Sequence, residues 1–124
     1  MVMQESGEMY LESILVLSQK GGPVRSLDVA NYLGVSKPSV SRAMGILKNG
    51  NYIVIDDQGY ITLTPEGSKI AKKIYERHIV ISELLVELGV DRKTAEEDAC
   101  RIEHVISDKT FKALKKHRKE YGGK

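Results

Sequence analysis

The stretch DVANYLGVSKPSVSRAMGIL, residues 28–47, carries the pattern that decides the fold. Its first part has apolar residues at helical spacing and stops at Gly34, a residue type that often ends helices. Ser36 is then a good N-cap for a second helix, and Pro38 falls in the first turn, where its missing N–H costs little. That helix runs to about Asn49, and its inward-facing residues are Val40, Ala43, Met44 and Leu47. The stretch therefore predicts a helix-turn-helix.

The sequence on both sides extends this unit. Before it, residues 8–20 show helical apolar spacing, and a Gly-Gly-Pro sequence then ends that helix. After it, the β-branched and aromatic segments YIVI (52–55) and YITL (60–63) flank the turn formers DDQG, which predicts a two-stranded hairpin. The chain therefore has, in order, a helix, a short helix, a turn, a third helix and a hairpin. This is the order of elements in a winged helix-turn-helix. We assign this domain to residues 1–64.

The sequence pattern of residues 65–124 predicts three helices, which would form a second domain. Thr64 caps a long helix that has apolar residues along one face and ends at Gly89. Asp91 opens the helix RKTAEEDACRIEHVI, and the chain restarts after Ser107 into TFKALKKHRKEY. We expect a mainly α chain in which the last helices form a dimer surface. The residues expected on that surface include Val105, Ile106, Phe111 and Leu114.

Length, charge and cysteine content narrow the class of protein. A chain of 124 residues with 41% hydrophobic residues builds a modest core, and dimerisation would add to it. The net charge of +2 gives no overall field that attracts nucleic acid, so the local distribution of charge matters more. No apolar run is long enough to span a membrane, and the first ten residues lack the order of a signal peptide. Cys100 is the only cysteine, so we expect a cytoplasmic protein without an intrachain disulfide.

The third helix has a surface suited to double-stranded DNA. Its first N–H groups attract phosphate, and small hydroxyl side chains crowd there. Arg42 follows one turn later and can donate two hydrogen bonds to a base or a phosphate, while Arg25 flanks the unit. Serines alone merely suit a helix start, so it is the complete order of elements that favours DNA binding. The predicted contacts are Arg25, Ser36, Lys37, Pro38, Ser39, Ser41 and Arg42. The hairpin turn carries Asp56 and Asp57, which repel phosphate, so we expect the hairpin to have a supporting role.

Cys100, Glu103 and His104 are spaced i, i+3, i+4, which places them on one face of a helix. A thiolate, a carboxylate and an imidazole within one turn form a chelate for a divalent transition metal. Each residue type also has a plain structural explanation, as core filler or as a solvated charge. The triplet is the part of the pattern that favours metal binding. Further candidates lie on the first helix and on the long helix: Met9, Glu12 and His78.

The sequence contains four stretches that match a known family: EMYLESILVL, DVANYLGVSKPSVSRAMGIL, ITLTPEGSKIAKKIYERH and EDACRIEHVISD. Through them, the chain resembles the diphtheria-toxin-repressor and manganese-transport-regulator family of metal-dependent repressors. The resemblance implies a homodimer that binds a palindromic operator when a divalent metal is bound and releases it when metal is scarce. Carried over by position, the implied ligands are Met9, Cys100, Glu103 and His104, with Glu12 and His78 completing a possible second site.

The ligand positions combine the two styles of this family. Met9 and Cys100 resemble iron-type members, whereas Glu12 resembles the manganese-type pattern. Ser82 stands where iron-type members carry a carboxylate. We expect no SH3-like third domain of the kind that iron-type members have. Soft thioether and thiolate donors favour iron over Mn(II), so the expected metal is Fe(II) or Mn(II), with iron slightly preferred.

The predicted function is a metal-dependent DNA-binding transcriptional repressor that senses Fe(II) or Mn(II). One alternative is a winged-helix regulator that responds to a small ligand or to redox state through Cys100, and another is a winged helix that binds proteins. Cys100 and His104 could also serve as nucleophile and base in an enzyme. No third orienting residue or oxyanion donor is evident, so we do not expect an enzyme.

Overall fold

The computed structural model describes residues 5–121, with side chains from Ser6 onward. The contacts between residues divide the chain into two compact units, and the boundary between the units lies between Lys72 and Lys73. The elements are α1 (Glu5–Gln19), α2 (Ser26–Leu33), α3 (Lys37–Asn49), β1 (Ile53–Ile55), β2 (Ile61–Leu63), α4 (Pro65–Glu87), α5 (Arg92–Ile102) and α6 (Asp108–Tyr121). The mainly α class and the order of elements are as predicted. None of these helices is long and apolar enough to cross a membrane.

α2 and α3 form the predicted helix-turn-helix. Gly34 ends α2 in the left-handed conformation (φ 69°), which favours glycine, and its N–H donates to the carbonyl of Ala30 at 2.8 Å. Ser36 caps α3 because its Oγ accepts the N–H of Ser39 at 3.3 Å. The inward face of α3 is as predicted, with Val40, Met44 and Leu47 buried and Ala43 half-buried. The core of the first unit also takes in Leu11, Ile14, Val29, Ile53 and Ile61.

The hairpin forms as predicted, but each strand begins one residue later than expected. β1 and β2 pair antiparallel. Their first residues, Ile53 and Ile61, are both 2% exposed. Tyr52 precedes β1 because its N–H donates back to a carbonyl near the end of α3. Tyr60 precedes β2 because it exchanges hydrogen bonds with Asp56 inside the turn. Local hydrogen bonds therefore shorten both strands.

The start of α4 belongs to the first unit. Thr64 caps this helix as predicted, because its Oγ1 accepts the N–H of Gly67 at 3.1 Å. An added Cβ at Gly67 would lie 2.0 Å from the carbonyl oxygen of Tyr52, so the helix needs glycine to approach the hairpin this closely. The predicted domain boundary after Thr64 stays a prediction. The outer ends of the predicted domains, residues 1–4 and 122–124, lie outside the described residues.

The second unit contains the remaining length of α4 together with α5 and α6. Asp91 caps α5 as predicted, because its carboxylate accepts the N–H of Thr94 at 3.0 Å. Side chains of all three helices form the core, including Ile74, Ile81, Ala95, Ala99 and Phe111. Ion pairs also join α6 to α4, among them Lys115 with Glu76 and Arg118 with Glu87.

α5 ends at Ile102, which corrects the predicted helix that continues through Ile106. Arg77 of α4 provides the physical reason. Its Nη1 donates to the carbonyl oxygens of Glu103 at 3.1 Å and of Ile106 at 2.8 Å. If α5 continued, these two carbonyls would accept N–H groups one turn further along the helix. Here a guanidinium supplies their donor instead.

The predicted dimer surface needs a second correction. Phe111 is 7% exposed and its ring lies 5.4 Å from the guanidinium carbon of Arg77, so it packs inside the second unit. Ile106 and Leu114 are half-buried. Val105 is 67% exposed, so it and the two half-buried residues can still form part of a dimer surface.

Candidate metal centre and nucleic-acid interface

Glu103 lies at the centre of a polar cluster in the second unit. Its side chain is fully buried. Oε1 lies 2.8 Å from Nδ1 of His78, and Oε2 lies 3.4 Å from Nε2 of His104. Within the described part of the chain, Oε2 has no hydrogen-bond partner. Because a buried carboxylate oxygen without a donor is costly, this position favours a cation.

Cys100 completes the cluster. It lies one turn before Glu103 on α5, and its thiol is exposed. His78, Cys100 and Glu103 each offer one ligand atom within 4.8 Å of the other two. Nitrogen, sulfur and oxygen donors together suit a divalent transition metal, whereas magnesium and calcium prefer oxygen alone. The residues present therefore fit a transition-metal ion.

The hydrogen bond between His78 and Glu103 favours the protonated form of the His78 ring. It raises the pKa of the His78 ring above its ordinary value, and burial of the ring partly opposes the effect. Glu96 adds a smaller raising effect through its charge. A metal ion requires the deprotonated ring, so metal and proton compete for His78.

The structure brings together three of the predicted ligands and places the ring of His104 beside the Glu103 carboxylate. The predicted placement of the whole Cys-x-x-Glu-His triplet within one helix is corrected in part, because α5 ends before the last two of its residues. α5 ends at Ile102, and His104 lies in the following turn. Glu103 still has helical angles (φ −57°, ψ −27°), so its relation to Cys100 is the one that the spacing predicts.

Met9 and Glu12 lie one turn apart on α1, in the first unit. Met9 is half-buried, and its carbonyl accepts the hydroxyl of Ser13 at 2.8 Å. Their role as ligands stays a prediction, like that of the residues in the second unit.

Arg77 is absent from the predicted site, although its guanidinium holds the turn that carries Glu103. The side chain of Arg77 is 7% exposed. The signal in the sequence is its place on α4, three residues after Ile74 and four before Ile81, which are both buried. A charged side chain within an apolar stripe must find buried hydrogen-bond acceptors. The sequence could therefore have indicated that Arg77 is buried and has a structural role.

The predicted DNA contacts at the N-cap and in the first two turns of α3 are all exposed. The hydroxyl of Ser36 donates to Oγ of Ser39 at 2.8 Å and also caps the helix, so these two serines order its first turn. Arg42 makes no ion pair among residues 5–121, and its guanidinium can therefore bind a phosphate or a base edge. The predicted contacts so placed are Ser36, Lys37, Pro38, Ser39, Ser41 and Arg42.

Arg25 is held at the base of the hairpin by Tyr60. Its guanidinium donates to the Tyr60 hydroxyl at 3.2 Å and lies 4.6 Å from the ring centroid. In the hairpin turn, one carboxylate oxygen of Asp56 accepts the N–H groups of Gln58 and Tyr60, each at 2.9 Å. Asp56 therefore builds the turn, which explains an acidic residue in a hairpin expected near DNA.

The first unit is a winged helix-turn-helix with an exposed arginine on its third helix, and the second is a helical unit with a cluster of nitrogen, sulfur and oxygen ligand atoms. Together these features define a metal-responsive DNA-binding regulator. The chain belongs to the iron-dependent repressor family. The family's N-terminal DNA-binding domain matches residues 2–67, and its metal-binding and dimerisation domain matches residues 64–120. The predicted class, a metal-dependent DNA-binding transcriptional repressor, is confirmed at the level of this family.

Individual relatives agree with this assignment. An uncharacterised helix-turn-helix transcriptional regulator of Methanocaldococcus jannaschii is 37% identical over 115 residues, which cover 91% of this chain and 92% of that one. The transcriptional regulator MntR of Escherichia coli is 34% identical over 115 residues, covering 93% of this chain and 74% of that one. The solved manganese regulator SloR has a TM-score of 0.81 at 28% identity, covering 96% of this chain and 55% of that one. The chain thus spans most of the first two proteins and about half of the third.

Proposed function

We propose that this chain senses Fe(II) or Mn(II) and, with metal bound, represses transcription by binding a palindromic operator as a homodimer. Residues 1–64 would bind DNA, and residues 65–124 would bind the metal and dimerise. The observation that carries the proposal is the cluster of His78, Cys100 and Glu103, in which one fully buried carboxylate oxygen has no hydrogen-bond donor among residues 5–121. Family membership supplies the link between metal and DNA.

The proposed ligands in the second unit are His78, Cys100, Glu103 and His104, and the resemblance adds Met9 and Glu12 of α1. A bound divalent ion would supply positive charge to a cluster that holds a thiolate and a buried carboxylate. Glu103 would orient His78, since it already holds Nδ1 at 2.8 Å.

Cys100 bears on the choice between the two metals. A thiolate binds Fe(II) better than Mn(II), which prefers oxygen ligands. The solved relative SloR is described as a manganese regulator, but that description concerns SloR alone. We therefore propose Fe(II) as the preferred ion, with Mn(II) second. A Cys100→Glu variant should bind Mn(II) more tightly and Fe(II) less tightly than the unchanged chain.

On the DNA side, we propose contacts from the exposed face of α3 and from Arg25. Arg42 is the proposed donor to a base edge, because it is exposed and makes no ion pair among the described residues. The hydroxyls at the start of α3 would contact phosphate, with the first N–H groups of that helix. Since the family consists of transcriptional regulators, we propose that the chain acts in the cytoplasm as a regulator and not as an enzyme.

The test is anaerobic reconstitution with Fe(II) or Mn(II), followed by metal analysis and by selection of bound duplexes from a random DNA library. The expected result is a stoichiometric ion and a palindromic duplex that is retained only with metal. Glu103→Gln should lose both properties, whereas Glu97→Gln, an exposed change on the same helix, should keep them. Retention of the same duplex by metal-free protein would contradict the proposal.

The redox or small-ligand alternative predicts a different result. A metal-bound Cys100 should react slowly with a thiol reagent and should react quickly once a chelator removes the ion. If Cys100 reacts equally fast in both states while its oxidation changes DNA binding, the redox alternative is correct.

A further inference from the structure

The side chain of Arg77 extends from α4, the helix that also carries His78, to the turn that carries Glu103. It directly precedes His78 on α4, and its side chain is 7% exposed. Nη1 donates to the carbonyl oxygen of Glu103 at 3.1 Å and to that of Ile106 at 2.8 Å. These two carbonyls lie at the two ends of the turn that contains His104. One guanidinium nitrogen therefore fixes the main chain of the whole turn.

The second terminal nitrogen of the guanidinium, Nη2, is anchored at the start of α6. Nη2 pairs with the carboxylate of Asp108, which also binds the ammonium of Lys73 at 3.0 Å. The ring of Phe111 lies 5.4 Å from the guanidinium carbon. Hydrogen bonds on one side and a ring on the other leave the Arg77 side chain little freedom to move.

We propose that Arg77 is a positioning residue for the metal ligands, which holds the turn after α5 so that the Glu103 carboxylate meets the His78 ring. This inference rests on the proposed function, because it concerns the same metal site. Arg77 and His78 are neighbours on α4, so a shift of the turn relative to Arg77 also changes the 2.8 Å separation between Glu103 and His78.

A lysine at this position could not replace the arginine. A guanidinium is planar and directs donors from two nitrogens at separate acceptors, whereas an ammonium is a compact point charge. Residues that orient metal ligands without touching the ion typically change metal affinity roughly 10- to 100-fold when they are substituted. We expect an Arg77→Lys variant to weaken metal binding within this range.

The experiment compares Arg77→Lys with Arg118→Lys. Arg118 also joins α6 to α4, through Glu87 at 3.4 Å, but among the described residues it makes no hydrogen bond or ion pair with the turn after α5. Two measurements are made on each variant and on the unchanged chain. The first is Co(II) affinity by competition with a chelator. The second is the ¹⁵N shift of the His78 ring in the metal-free protein, which reports the hydrogen bond to Glu103 and can be assigned among only three histidines.

Arg77→Lys should weaken Co(II) binding roughly 10- to 100-fold and should move the His78 signal towards that of a ring without its carboxylate partner. Arg118→Lys should change neither measurement. Unchanged Co(II) affinity and His78 signal in Arg77→Lys would overturn the inference, and so would an equal loss in Arg118→Lys, which would indicate general loosening.

If Arg77→Lys does not fold, Asp108→Asn takes its place, because it removes the anion from Nη2 and keeps Arg77. Both measurements should then change in the same direction by a smaller factor, and no change would overturn the inference. Failure of the unchanged chain to bind Co(II) would count against the proposed function. The His78 signal of the metal-free variants would still decide the role of Arg77.

Discussion

Replacing Glu103 by Gln removes one charge from the polar cluster and keeps its shape, and we expect it to separate folding from metal binding. In the metal-free protein, the substitution removes a charged hydrogen bond to His78 worth about 1.5–3 kcal/mol. It also leaves a buried amide NH2 without an acceptor, at about 1–3 kcal/mol. Against these losses, it relieves the burial of a carboxylate whose Oε2 has no hydrogen-bond partner in the described chain, which costs several kcal/mol. The free energy of unfolding without metal should therefore change by no more than about 2 kcal/mol.

With metal, the two proteins should differ clearly. An ion present at about 100 times its Kd stabilises the folded state by about 2.7 kcal/mol. For a chain of this length, 1 kcal/mol corresponds to roughly 3–5 °C in Tm, so Co(II) should raise the Tm of the unchanged protein by about 10 °C. Glu103→Gln should show almost none of this rise. Circular dichroism melting curves recorded anaerobically, with Co(II) and with a chelator, measure both quantities.

Glu97→Gln is the matched control, because Glu97 is exposed on the same helix. It should keep the full rise in Tm. The reasoning would be refuted if Glu103→Gln kept the same rise. It would also be refuted if the metal-free variant melted more than about 10 °C below the unchanged protein, since Glu103 would then be mainly a structural residue.

Three other residues give shorter predictions. Glu103 raises the pKa of His78, so the protonated ring stabilises the metal-free fold fully below pH 6.5, the ordinary pKa of the ring. This contribution is lost as the pH rises through the raised pKa of the folded protein. Urea unfolding across this pH range should show that loss in the unchanged protein and not in His78→Gln; parallel profiles would contradict it. Arg42→Ala should weaken duplex binding by about 1–3 kcal/mol and leave Co(II) affinity unchanged, and an unaltered binding isotherm would exclude Arg42 as a contact. Thr64→Ala should lower the free energy of unfolding by about 0.5–2 kcal/mol in urea, with Thr64→Ser close to the unchanged protein, and equal losses in both would exclude a capping role.

Most of the fold could be predicted because its signals are local. Ser36, Thr64 and Asp91 each accept an N–H three residues further along, so each helix start depends on a few neighbouring residues. Gly34 marks the turn of the helix-turn-helix in the same way, through its left-handed conformation. Short-range chemistry of this kind can be identified directly in the sequence.

The end of α5 could not be predicted, because it depends on a residue far away in the chain. Arg77 binds carbonyls 26 and 29 residues further along, and no local pattern at Ile102 indicates the change. The same limit applies to the site. The spacing alone pairs Cys100 with Glu103, whereas the approach of His78 depends on how α4 packs against α5.

The central claim is that metal binding and DNA binding are coupled in this chain, and coupling between two ligands must be reciprocal. The most direct test measures the duplex affinity with and without Co(II), and then the Co(II) affinity with and without the selected duplex. We expect Co(II) to tighten duplex binding by roughly 5- to 150-fold, and the duplex to tighten Co(II) binding by the same factor. Equal duplex affinity in the presence of Co(II) and of a chelator would contradict the account.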